Sequence, residues 1–157
     1  ASDVYKRQVG CYSFATSDYQ VISHPEFFYI STLMLDSSES TLWIGNAHHL
    51  HRMNLNTKEI ERVRDFYVVK SIAKDDNNLL IGTDNGLYVC DRQGTWHLIS
   101  HDARNSQSLS SNVVNMFFKD ANGNIWIGTD NGISLAAHNP SIRSRSLFDI
   151  TGSDEGC

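Results

Sequence analysis

The stretch Asn124-Ile125-Trp126-Ile127-Gly128-Thr129-Asp130-Asn131-Gly132-Ile133 decides the fold, because the chain repeats it. Leu79-Leu80-Ile81-Gly82-Thr83-Asp84-Asn85-Gly86-Leu87 matches it almost residue for residue, and Leu42-Trp43-Ile44-Gly45-Asn46-Ala47-His48-His49-Leu50 is a weaker copy. The central glycines fall at 45, 82 and 128, in steps of 37 and 46, and the longer step holds an extra polar loop from Asp102 to Asn112. A period of about 40 residues marks a repeat architecture, in which each unit buries its apolar face against the next.

Each copy is preceded by an apolar run that closes on an acid: Thr32 to Asp36, Val69 to Asp75 and Val113 to Asp120. These predict short, largely buried strands. Polar turns follow at Ser37 to Ser40, Asp76 to Asn78 and Ala121 to Gly123, and then comes the strand with the central glycine. In two copies an Asp-Asn-Gly turn comes next, whose Asn and Gly suit the positive φ of a tight hairpin. A third strand is expected at His49 to Asn54, Leu87 to Asp91 and Ile133 to Ala136, and a more polar fourth at Glu59 to Arg64, Thr95 to His101 and Arg143 to Phe148. Four antiparallel strands per period predict an all-β fold of propeller blades, and no helical periodicity competes with it.

Val9 to Ala15 and Tyr19 to Ser23 suit the third and fourth strands of a preceding blade. The expected organisation is a non-native or unstructured leader at 1–8, half a blade at 9–29, blades at 30–67, 68–112 and 113–150, and the truncated start of another at 151–157. That makes about three and a half blades of a larger β-propeller. Such a segment leaves an apolar blade face at each end, so alone it should aggregate or pair with a second copy.

Of 157 residues, 40% are hydrophobic, enough to bury a core, and the net charge of −5 leaves no basic excess for a phosphate backbone. Nucleic acid is therefore not an expected partner through this segment. No apolar run approaches the roughly 20 residues that span a bilayer as a helix. The three cysteines, Cys11, Cys90 and Cys157, form no CxxC and suggest neither a disulfide framework nor a zinc site.

With these residues in place, Asp120-x-x-Gly123-Asn124-x-Trp126-Ile127-Gly128-Thr129-x-x-Gly132-Ile133 resembles the two-component regulator propeller repeat. The Ser108-Leu109-Ser110 segment likewise resembles that family's lead into a new blade. The resemblance implies a seven-bladed parent, the periplasmic sensor region of a membrane-anchored hybrid two-component histidine kinase of Bacteroides-like bacteria. It further implies an oligosaccharide ligand, regulation of polysaccharide-utilisation genes, the remaining blades of the same chain as packing partners, and a homodimeric parent. It implies no cofactor. Two departures stand out: Leu80 replaces Trp in the second copy, and His49 replaces the turn glycine in the first, whose turn must be built differently.

The chemistry is weighed against packing. Trp43, Leu80 and Trp126 share one repeat position with Gly45, Gly82 and Gly128 beside them, and Gly86 and Gly132 serve the turns; all are expected to be structural. Trp96 breaks the repeat and suits either sugar stacking or capping of a neighbouring blade. His49 and His51 would share one strand face at a spacing that suits zinc, but no cysteine or carboxylate at a persuasive spacing completes a site, so no metal is expected. The Asp-Asn-Gly turns are too short for an EF-hand loop. No GxSxG, HExxH or phosphate-cradling loop is present, so the segment is not expected to be an enzyme. A propeller lyase and a protein-docking scaffold are the alternatives to a ligand sensor. Blade topology puts the Asp-Asn-Gly turns and the His101 to Asn112 loop on one end of the disc, where loops on a rigid scaffold bind ligands. The candidate contacts are His101, Arg104 and Asn105, with Asp84 and Asp130 at the rim.

Overall fold

The structure, a computed structural model, describes residues 7–75 and 78–136 and the backbone of 142–145. Among the described residues every helix or strand element is a β-strand. β1 (Gln8–Ser13) and β2 (Asp18–Ser23) form a hairpin. The first sheet holds β3 (Thr32–Asp36), β4 (Thr41–Gly45), β5 (His49–Asn54) and β6 (Ile60–Asp65). β7 (Val69–Asp75), β8 (Asn78–Thr83), β9 (Gly86–Cys90) and β10 (Trp96–Ile99) form the second, and β11 (Val114–Lys119), β12 (Ile125–Thr129), β13 (Gly132–Ala136) and β14 (Ile142–Arg145) the third. Within each sheet the strands lie in chain order and pair antiparallel, which is the pattern of propeller blades. Of the expected fourth strands, the first is shifted by one residue to Ile60–Asp65 and the second is shorter, β10 stopping at Ile99, while residues 146–148 of the third lie outside the described residues. β1 opens at Gln8, one residue inside the stretch set aside as a leader; residues 1–6 and 151–157 lie outside the described part.

Alternation of side chains along each strand splits every sheet between two joints. In β4, Ile44 packs back on the hairpin with Val9, Phe27 and Met53, whereas Trp43 packs forward on Val69, Ile72, Leu79 and Ile81. In β8, Ile81 packs back and Leu80 forward, onto Leu87, Leu109, Val114, Ile125 and Ile127. The Trp43/Leu80 position thus joins one sheet to the next.

The glycine two residues on has the same cause. A Cβ on Gly45 would overlap Val69 Cγ1 and stand 2.7 Å from Thr32 Cγ2; one on Gly82 would overlap Ser71 Oγ and stand 2.7 Å from Val114 Cγ1. Val69 and Val114 open the following sheets, so the glycine makes room for the next blade.

The turns correct one expectation. Gly86 and Gly132 have φ of 113° and 110°, but Asn85 and Asn131 do not adopt positive φ. Thr83 Oγ1 instead accepts the Asn85 N–H at 3.0 Å and donates to the Gly86 carbonyl at 2.9 Å, so only the glycine turns left-handed. In the first sheet Asn46 Oδ1 accepts the N–H groups of His48 (2.8 Å) and His49 (2.7 Å), a different closure that spares His49 a positive φ.

Apolar surface is uncovered at both ends of the array. Leu33 and Leu35 of β3 are 48% and 58% exposed, and Met116 and Phe118 of β11 are 59% and 62% exposed.

Candidate functional site

Bulges in β7 and β11 insert one extra residue each, Lys70 and Asn115, into otherwise regular pairing. A bulge re-aims the inserted side chain out of the ladder. Lys70 Nζ pairs with Asp84 at 2.7 Å and donates to Asn115 Oδ1 at 3.0 Å, and Asn115 Nδ2 donates to Asp130 Oδ1 at 2.6 Å. The two rim aspartates are therefore joined across the joint between the second and third sheets. Ser31 holds the corresponding place in the first sheet, its hydroxyl facing the carbonyls of Gly45 (3.1 Å) and Val69.

The long loop lies at this same end. The Gly86 N–H donates to the Asn112 carbonyl at 2.6 Å, the Asp130 N–H to the Val113 carbonyl at 3.2 Å, and Ser110 Oγ lies 2.8 Å from Thr129 Oγ1. Within the loop, His101 offers its N–H to Asn112 Oδ1 and its ring Nδ1–H to the Leu109 carbonyl, both at 2.6 Å. Asn105 Oδ1 accepts the Gln107 N–H at 2.9 Å, and Asp102 Oδ1 accepts the Arg104 N–H at 2.9 Å. Buried Leu109 anchors the loop in the core between the second and third sheets. His101 and Asn105 thus shape the loop, and Asp84 and Asp130 tie the turns together. Of the five candidate residues, Arg104 alone has a head group with no partner among the described residues.

At the opposite end, Lys74 of β7 bridges back to Asp36 and to Glu39 (2.9 Å), and Lys119 of β11 bridges to Asp75 at 3.6 Å. The hydrogen bond from Lys74, with a further one from Ser38, holds the buried Asp36 carboxyl below the ordinary carboxylate range. Sequence reading passed over this link, although Lys-Asp closes β7 and the same pair follows in β11. A cleft of about 580 Å³ opens beside it, bounded by Trp43, Trp96, Arg52 and Lys74. Trp96 lies 5.6 Å from the Phe66 ring with the Arg64 guanidinium 5.1 Å from its own ring, so it caps the joint.

Asp120 explains the spacing of its motif. Its carboxylate accepts from Asn124 Nδ2 (2.9 Å), Trp126 Nε1 (3.0 Å) and the N–H groups of Asn122 and Asn124, which together lower its pKa to about 2. Gly123, at φ 83°, turns the chain between these donors.

The histidines divide. His48 is exposed and His49 Nδ1 pairs with Asp65 at 3.1 Å, while His51 is fully buried with its Nε2 3.0 Å from Glu26 Oε2. Burial lowers the His51 pKa, so the neutral ring donates to the Glu26 carboxylate. His24 lies beside them, its ring centroid 5.6 Å from that of His51. The carboxylate that His51 lacks at close sequence spacing comes from the segment ahead of the first sheet.

Residues 108–131, from the loop through β12 to its turn, match the two component regulator propeller. This chain carries that propeller repeat. The solved structures agree over nearly its whole length. The extracellular domain described as that of a one component system, BT4673 from B. thetaiotaomicron, is 34% identical at a TM-score of 0.76, covering 96% of this chain and 21% of that one. The extracellular domain described as that of the hybrid two component system BT3049 from B. thetaiotaomicron is 26% identical at a TM-score of 0.66, covering 83% of this chain and 18% of that one. A second structure of the BT4673 extracellular domain, described as that of a hybrid two component system, is also 34% identical at 0.76 and covers 85% of this chain and 19% of that one. The propeller segment spans about a fifth of the extracellular domains it matches. A comparison with curated protein sequences finds no match. The chain is homologous to the extracellular domains of hybrid two-component systems, and its all-β sheets are blades of the propeller fold.

Proposed function

We propose that this segment belongs to the periplasmic, ligand-sensing propeller of a membrane-anchored hybrid two-component sensor, and that its ligand is a carbohydrate fragment governing polysaccharide-utilisation genes. The segment itself does no chemistry; a histidine kinase elsewhere in the longer protein would carry the signal. The similarity to extracellular domains of hybrid two-component systems over nearly the whole chain carries this reading. Within the segment, the loop-bearing end supports a binding role, because it carries both Arg104, whose head group has no partner among the described residues, and the Asp84–Lys70–Asn115–Asp130 ribbon. Guanidinium and carboxylate groups of this kind hydrogen-bond vicinal hydroxyls in fixed directions.

Calorimetry of the complete extracellular propeller against a panel of oligosaccharides tests it. Saturable binding of one glycan class, weakened at least tenfold by Arg104→Ala, is the expected result. Absence of binding across the panel, or binding indifferent to Arg104→Ala, would remove this end of the segment from the sensor's ligand site.

A further inference from the structure

Between the hairpin and the first sheet, three groups with metal-ligating atoms converge. One atom each from His24, Glu26 and His51 all lie within 4.8 Å of one another. They come from two places that differ in stiffness. His51 sits in β5, with no side-chain exposure, and is walled by Phe27 at 5.7 Å between ring centroids. His24 and Glu26 flank Pro25 in the bend after β2, half-buried, and that bend is pinned because Asn46 Nδ2 donates to the Glu26 carbonyl at 2.8 Å.

The polar bonding is lopsided. Glu26 Oε2 is the only hydrogen-bond partner of the His51 ring among the described residues, since His51 Nδ1 is buried without one. Glu26 Oε1 meets Arg62 Nη1 at 3.3 Å, which orients the carboxylate from behind. His24 uses Nδ1, accepting the Glu26 N–H at 3.3 Å, and its Nε2 makes no such bond among the described residues. Two imidazoles and a carboxylate, with one position left for water, are the donor set of an open zinc-type site. Neutral nitrogen and carboxylate oxygen suit Zn²⁺, Co²⁺ or Ni²⁺ and select against the hard, all-oxygen preference of Ca²⁺ and Mg²⁺.

We infer that His24, Glu26 and His51 form a site for a divalent transition-metal ion, of which Zn²⁺ is the type, bolting the preceding half blade to the first complete sheet. The ion takes the place between Glu26 Oε2 and His51 Nε2 that the ring proton holds in its absence, and that proton moves to His51 Nδ1. A buried Nδ1–H without an acceptor weakens the site, so its affinity falls below that of a four-ligand structural zinc centre. The role is structural: the ion crosslinks residues 25 or more positions apart and orders the joint. This is independent of the ligand-sensing reading, since the site lies at a joint whichever glycan the propeller binds.

The test uses the full chain, stripped of metal with a chelator and dialysed. Zn²⁺ titration by calorimetry should give one site per chain and raise the melting temperature, and Co²⁺ should develop visible absorption bands of a low-coordinate nitrogen and oxygen site. His24→Gln and Glu26→Gln, both at half-buried positions, should each weaken binding at least tenfold. His97→Gln, remote in β10, should leave it unchanged. Because a variant could also disturb folding, imidazole resonances of the unaltered chain supply a second reading: Zn²⁺ should shift those of His24 and His51 and spare that of His97. Failure to bind, binding unaffected by both variants, or resonance shifts confined to other histidines would each overturn the site.

Discussion

The joint between the hairpin and the first sheet and the joint between the first and second sheets share one plan and differ in chemistry. Ile44 faces His51 across β4 and β5, and Ile81 faces Tyr88 across β8 and β9, so His51 and Tyr88 hold the same repeat position. Each meets the ring of a phenylalanine that precedes the inner strand of its own sheet, Phe27 at 5.7 Å from His51 and Phe66 at 5.0 Å from Tyr88. The residue before that phenylalanine is acidic in both, Glu26 and Asp65. At the second joint the aromatic cluster is completed by Trp96 and covered by Arg64. At the first it is replaced by imidazoles and a carboxylate. Repetition therefore sets how blades pack, and the positions where copies diverge hold the chemistry.

The comparison breaks most sharply at the glycine of the second joint. Gly45→Val should abolish cooperative unfolding of the chain, and Gly45→Ala should cost about 1–3 kcal/mol, the range of an overpacked core, because Val69 cannot retreat without moving its sheet. Scanning calorimetry measures both. Gly128→Ala makes the control: its added Cβ meets Met116, an exposed flexible side chain, and should cost less than 1 kcal/mol. Equal losses at the two glycines would mean that the residue serves its own strand and not the next blade.

A smaller difference separates the ion pairs. Lys74→Met leaves Asp36, 5% exposed, facing the joint without its main partner, and should cost about 1–3 kcal/mol in chemical denaturation. Arg62→Met at the first joint loses contacts to Glu26 and Asp65 whose side chains are 37% and 66% exposed, and should destabilise less than Lys74→Met.

The smallest effect is a pH dependence. Asp36 has its pKa lowered in the fold, chiefly by the hydrogen bond from Lys74, below its ordinary value of 3.8. An acid shifted downward on folding stabilises fully above its unfolded pKa, and that contribution fades as pH drops through the folded value. Melting temperature should therefore fall below pH 3.8, and the slope should flatten in Asp36→Asn; an unchanged slope would assign the acid sensitivity to other carboxylates.

Much of this was legible in the sequence because the fold is written three times. A strand that recurs with its glycine and turn at 45, 82 and 128 carries its own confirmation, and the hydrogen-bonded strands fall where the copies place them. The interblade links were half legible. Lys74 and Lys119 recur before an acid and could have been paired by eye, and Asp120 with Trp126 was visible as spacing. Lys70 and Asn115 were hidden because they differ chemically at one position and act only through bulges. His24 and Glu26 were invisible for another reason. They lie outside the repeat, and only the closing of a joint brings them to His51.

Interblade packing is the central claim, and sedimentation velocity of the 157-residue chain over a range of concentrations tests it most directly. Leu33, Leu35, Met116 and Phe118 lie on sheet faces that further blades would cover, so the account predicts concentration-dependent self-association. A compact monomer at every concentration would contradict it.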